Sequence, residues 1–192
     1  YNFNTNNEKI LIDTNGRFWF PKWSPDGEKI VYMSDKNETW DIFIVDADGG
    51  NPTALTTNSN TDVHPSFSPN GDKVIFASNR NDSNFELYTI KLSDMRIERI
   101  TNTKNVTEYY PHISSNGNKV IFTGITDSSC NLYKMDVNGE NRNQLTSDEK
   151  NEWQPRWSHN GEKIVYRTGD FSPKSNNQEI YIINADGTND EQ

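Results

Sequence analysis

The sequence predicts an all-β fold, a β-propeller of four-stranded antiparallel blades. Three observations carry that prediction. One segment recurs four times: Pro21-Lys22-Trp23-Ser24-Pro25-Asp26-Gly27, Pro65-Ser66-Phe67-Ser68-Pro69-Asn70-Gly71, Pro111-His112-Ile113-Ser114-Ser115-Asn116-Gly117 and Pro155-Arg156-Trp157-Ser158-His159-Asn160-Gly161. The four closing glycines lie 44, 46 and 44 residues apart, a period in the range of propeller blades. Each is followed by a short run of alternating charged and apolar residues that reaches Tyr32, Phe76, Phe122 or Tyr166, the period of a strand.

Each element of a blade has its own signal. Residues 20–24 are short, aromatic and contain a proline, which suits an inner strand. Ser24-Pro25-Asp26-Gly27 reads as a type I turn, with Pro at its second position and Gly at its fourth. Residues 29–34 form the second strand and 40–46 the third, rich in aromatic and β-branched side chains. Asp46-Ala47-Asp48-Gly49 is a hairpin turn, and 52–56 is a weaker, more polar fourth strand. The plan repeats with third strands at 85–90, 131–136 and 179–183 and fourth strands at 96–101 and 143–146. The blades therefore span about 18–56, 63–101, 109–146 and 153–184 of a single domain covering 1–192.

The fourth copy stops short of its own outer strand. Residues 8–12 sit at the spacing of an outer strand belonging to a preceding blade. Pairing of that segment with the fourth copy would close a four-bladed ring and remove its exposed edges. A piece of a larger ring would show the same frame, in which case the chain is expected to oligomerise or to need more blades. The first residue is Tyr1 rather than Met, from which a removed leader, tag or upstream domain is expected.

Composition narrows the function classes. Hydrophobic residues make up 31%, but 5 Trp, 8 Tyr and 9 Phe argue against disorder and for a small aromatic core. The formal charge of −9 comes without a basic stripe, so no nucleic-acid partner is expected. No apolar run approaches the roughly 20 residues of a membrane-spanning helix, and membrane insertion is not expected. Cys130 is the single cysteine, so no intrachain disulfide forms, and it reads as a small apolar residue.

Trp23-Ser24-Pro25-Asp26-Gly27 with Lys29-Ile30-Val31-Tyr32, Asp41-Ile42-Phe43 and Asp46-Ala47-Asp48-Gly49 resembles the TolB-type propeller repeat. The same repeat occurs in the propellers of prolyl oligopeptidase-like peptidases, and the resemblance covers nearly the whole chain. It implies a bacterial envelope or exported protein whose propeller binds another macromolecule. TolB proteins carry six blades and an additional α/β domain, whereas four repeats are visible here. Nothing in the chain resembles the Gly-x-Ser-x-Gly elbow of the peptidases.

In that family the channel mouth is formed by the loops leading into each inner strand and those joining second to third strands. The incoming loops end in Phe18-Trp19-Phe20, Asp62-Val63-His64, Glu108-Tyr109-Tyr110 and Glu152-Trp153-Gln154. Trp19, Tyr109 and Trp153 share one offset and would gather at one mouth, where aromatic rings suit a sugar face or a partner side chain. The plainer reading packs these rings between blades. Trp19, Phe20, His64, Tyr109, Tyr110 and Trp153 are the candidate partner-binding residues. Asp62, Glu108 and Glu152 also share an offset and could attract a cation, but loop acids more commonly cap neighbouring turns, and no metal or cofactor is assigned. Lys22 and Arg156 could offer anion contacts from two inner strands, or be partly solvated strand positions. His64, His112 and His159 fall at three offsets and make no ligand set.

The expectation is a non-enzymatic module, outside the cytoplasm, that presents its channel mouth to a protein or glycan. The alternatives are a polysaccharide-acting lyase or hydrolase using a channel acid with His64 or His112, and an accessory propeller of a larger peptidase.

Overall fold

The computed structural model describes residues 8–81, 83–147, 150–170 and 177–188. Its strands are all antiparallel and fall into four blades. The first is β1 (Phe18–Trp23), β2 (Lys29–Ser34), β3 (Asp41–Asp46) and β4 (Thr53–Ala54), and the second is β5 (Asp62–Phe67), β6 (Lys73–Ser78), β7 (Glu86–Lys91) and β8 (Ile97–Arg99). The third is β9 (Thr107–Ile113), β10 (Lys119–Ile125), β11 (Cys130–Asp136) and β12 (Asn143–Gln144). The fourth contains β13 (Glu152–Trp157), β14 (Lys163–Thr168) and β15 (Glu179–Asn184). Within each blade the strands pair in sequence order, and among the described residues there is no helix. The fold is an all-β, four-blade propeller. Inner strands β1, β5, β9 and β13 touch in succession around the axis.

The inner turns follow from the Ser-x-x-Gly sequence. The Gly27 N–H donates to the Ser24 carbonyl at 3.0 Å, while the Ser24 hydroxyl accepts the Lys29 N–H at 2.9 Å. Ser68, Ser114 and Ser158 make the same side-chain contact to Lys73, Lys119 and Lys163. Four stacked cross-strand pairs fill the blades at one register: Tyr32–Phe43, Phe76–Tyr88, Phe122–Tyr133 and Tyr166–Tyr181, with ring centroids 5.6 to 6.1 Å apart. A cation lies over each stack, Lys36, Arg80, Arg142 and Lys150 in turn.

The outer strands are shorter than the sequence suggests. β4, β8 and β12 stop before Thr56, Thr101 and Thr146, whose hydroxyls accept the Ile42, Leu87 and Leu132 N–H groups at 2.8 to 3.0 Å. A side-chain oxygen thus replaces a backbone acceptor, and the ladder ends there.

Residues 8–12 are irregular backbone rather than a strand, and no ladder joins them to β15 among the described residues. Among the described residues the sheet of the fourth blade accordingly has three strands, and no strand of the first blade touches one of the fourth. A lone strand cannot satisfy its own N–H and C=O groups, so this segment relies on side-chain burial instead. Leu11 and Ile12 pack on Ile30, Tyr32, Phe43 and Val45. Leu11 lies against Gly49 as Ile100 lies against Gly139 and Leu145 against Gly187.

Candidate functional site

The inner strands carry the site, and a repeated backbone device shapes it. Between Trp19, opposite Met33, and Lys22, opposite Val31, two residues of β1 face the single residue Tyr32 of β2, and the same bulge recurs in the other three blades. The residue before each proline takes a left-handed φ: Phe20 at 54°, His64 at 56°, Tyr110 at 56° and Gln154 at 56°. Non-glycine residues avoid this region unless their surroundings hold them there. Here the bulge, with a proline that needs no ladder bond, re-aims one side chain per blade toward the axis.

Three of those side chains meet. The Phe20 and His64 rings are 4.8 Å apart and perpendicular, His64 and Tyr110 are 3.7 Å apart, and Phe20 and Tyr110 are 5.8 Å apart. Contacts extend outward from this centre. Trp19 touches Phe20 at 6.3 Å and Trp40 at 5.7 Å, and Tyr109 touches His64 at 5.3 Å and Phe85 at 4.9 Å. Tyr110 meets Trp153 edge-on at 6.4 Å. One connected belt of rings therefore crosses all four blades.

All six sequence-selected aromatic and histidine positions lie in this belt, though not as one tier. Trp19, Tyr109 and Trp153 share an offset, yet they connect through Phe20, His64 and Tyr110 rather than with one another. Trp19 is half exposed, at 50%, and Trp153 donates its indole N–H to the Gly169 carbonyl at 3.0 Å. Trp40, Phe85 and Gln154, which is hydrogen-bonded to Tyr110, were not singled out from the sequence. The offset of Gln154 before Pro155 was the available signal for one of them. Trp40 and Phe85 open or precede third strands and meet the belt only through the fold.

Burial sets the chemistry of these groups. His64 is pushed down to about 3, first by burial and then by the Arg156 charge. His112 falls to about 3 by burial and by the nearby Arg156 and Lys22. Burial pushes the Tyr109 hydroxyl up to about 12. The Cys130 thiol also rises to about 12 by burial and donates to the Glu152 carbonyl at 3.1 Å.

The three acids are internal fastenings. Asp62 receives both of its oxygens' contacts from Arg80, at 2.9 and 3.0 Å, and one from Asn58 at 2.8 Å. Glu108 pairs with Arg142 and accepts from Thr101 and Thr103, and Glu152 accepts from Thr146. All three are fully buried, and among the described residues no group of three or more His, Cys, Asp or Glu is arranged to hold a metal ion.

The family model of the TolB beta propeller domain matches residues 1–192. The chain belongs to that family. Among solved structures, this TolB-type propeller is similar to TolB from Acinetobacter baumannii, with a TM-score of 0.80 and 25% identity. That match covers 94% of this chain and 44% of the other, so the chain spans less than half of that relative. It also shares its fold with an oligogalacturonate lyase from Vibrio parahaemolyticus, with a TM-score of 0.70, 14% identity, and 93% and 54% of the two chains covered. A puromycin-hydrolyzing peptidase from Mycobacterium tuberculosis matches with a TM-score of 0.72 and 11% identity, over 92% of this chain and 28% of that one. Solved structures that share this fold thus include a TolB and enzymes.

Proposed function

We propose that this TolB-type propeller is a non-enzymatic recognition module that engages a protein or glycan partner outside the cytoplasm. The observation that carries this reading is the connected aromatic belt across four inner strands, with Trp19 at its exposed end. Rings held by a rigid sheet lose little conformational freedom on contact and offer large apolar faces with polar edges. The groups a catalyst would need are committed elsewhere. His64 and His112 stay neutral far below physiological pH, and Asp62, Glu108 and Glu152 are buried against Arg and Thr side chains. General acid–base catalysis works best with a group whose pKa lies near the operating pH. Membership of the TolB family supports the extracytoplasmic setting, and no helix among the described residues is long and apolar enough to cross a membrane.

The test is a screen of immobilised glycans and peptides, read by binding and by product release. Saturable binding without turnover is expected. Trp19→Ala should weaken it about tenfold or more, the scale of an aromatic interface anchor, while leaving the melting temperature unchanged. Turnover of a polysaccharide, or binding indifferent to Trp19→Ala, would overturn the reading.

A further inference from the structure

Two residues beyond the left-handed position, each inner strand places one side chain at a common register: Lys22 opposite Val31, Ser66 opposite Ile75, His112 opposite Ile121 and Arg156 opposite Val165. These positions lie on the side of the axis toward the Ser-x-x-Gly turns, away from Trp19 and Tyr109. They line a cavity of about 390 Å³ whose walls include Trp23 and Trp157. Trp23 is 57% exposed, so the cavity opens to solvent at the turns.

The lining has a charge pattern unlike the rest of the molecule. It holds Lys22, Arg156, His112 and His159 and no acidic residue, in a chain whose formal charge is −9. Among the described residues neither Lys22 nor Arg156 has an ion-pair partner, and the hydrogen bond of Arg156 goes to its neighbour's carbonyl, Pro155, at 2.9 Å. Buried cations ordinarily sit against a counter-charge, because leaving water without one is costly. Two other part-buried arginines of this propeller, Arg80 and Arg142, obey that rule, pairing with Asp62 and Glu108. Lys22 is instead pushed below its ordinary value, first by burial and then by Arg156.

His112 adds a fixed donor. Its Nδ1 accepts the Trp157 backbone N–H at 3.1 Å, and its carbonyl accepts the Trp157 indole N–H at 3.2 Å. With Nδ1 occupied as an acceptor, the proton of the neutral ring resides on Nε2, leaving one N–H donor. An ammonium, a guanidinium and an imidazole N–H from three blades are the donors that an oxyanion accepts from.

We propose that this turn-side cavity is an oxyanion site in which Lys22, His112 and Arg156 bind a carboxylate or phosphate group of a small ligand. The site is separate from the aromatic belt, and its failure would leave the recognition reading of the belt untouched. The bound oxyanion supplies the counter-charge that the fold withholds, so ligand binding and stability are linked.

The experiment is thermal unfolding of the whole chain at constant ionic strength, titrated with inorganic phosphate, with glutarate and with chloride. The expected result is a saturable rise in melting temperature with phosphate or glutarate that chloride does not reproduce. Which of the two acts at lower concentration assigns the ligand as phosphate or carboxylate. Lys22→Met and Arg156→Met should each weaken the oxyanion response at least tenfold. In oxyanion-free buffer both should be as stable as the parent or more so, because each removes an uncompensated charge, which a merely structural role would not produce. Lys91→Met, an exposed position outside the cavity, should respond like the parent. Equal responses to all three salts, or an oxyanion response unchanged in both cavity variants, would overturn the proposal. Should Arg156→Met fail to fold, Lys22→Met and direct calorimetry with the same two anions decide it.

Discussion

His64 and Phe20 occupy one structural position in two blades, but only His64 titrates. Its folded value of about 3 lies below the ordinary 6.5, and His112 behaves alike. A depressed value means that the unfolded chain binds protons that the folded chain refuses. The stability contribution is present above about 6.5 and is lost as pH falls toward 3, by about 1.4 kcal/mol per pH unit for each histidine inside that window. His64→Phe copies the residue already accommodated at 54° in the first blade. Urea unfolding should therefore show this variant gaining on the parent between pH 7 and pH 4. Parallel stability profiles would mean that the folded state protonates His64 after all. The aromatic character of this tier was readable from the residues before each proline, whereas the burial that silences its histidine was not.

At the scale of elements, the turns separate local from tertiary demands. Gly27 and Gly139 both adopt positive φ, 75° and 90°. A Cβ on Gly27 would meet nothing within 4 Å, whereas one on Gly139 would lie 2.3 Å from the Ile100 carbonyl of the preceding blade. Gly27→Ala should cost about 1 kcal/mol, the backbone penalty alone. Gly139→Ala should cost well beyond that, because the third blade must shift from the second. Comparing their denaturation midpoints checks the difference, and equal losses would refute an inter-blade role for Gly139. The Ser-x-x-Gly turns were legible because local hydrogen bonds from each serine define them, and the second strands because their alternation of charged and apolar residues is itself local. The outer strands were read too long, because Thr56, Thr101 and Thr146 look like strand residues and act as side-chain acceptors.

Across the whole molecule, cohesion is uneven. One apolar cluster joins the first three blades around Val74, Ile75, Phe76 and Leu87, while a smaller one links Ile121 and Leu132 to Trp157, Ile164 and Tyr166 of the fourth. The fourth blade also leaves Ile180 81% and Ile182 53% exposed. Amide hydrogen exchange should be slowest in β6 and β7 and fastest in β15, since local opening follows buried contact. Uniform protection would contradict this order. Glu108 fastens two blades, accepting from Thr101 of the second and pairing with Arg142 of the third. Glu108→Gln leaves that guanidinium unpaired and should cost about 3–5 kcal/mol in equilibrium unfolding, the scale for breaking a buried pair. A loss under 1 kcal/mol would place the pair in water.

The repeat, the strand order within blades and six of the belt positions were legible in the sequence alone, because each rests on a local pattern copied at a fixed period. Closeness around the axis was not. Which shared-offset residues touch, that Asp62, Glu108 and Glu152 are buried fastenings, and that Lys22, His112 and Arg156 share one acid-free cavity were decided by the packing of blades. Residues about 45 apart in the chain become neighbours there, and only their side-chain directions say whether they meet as partners or as like charges.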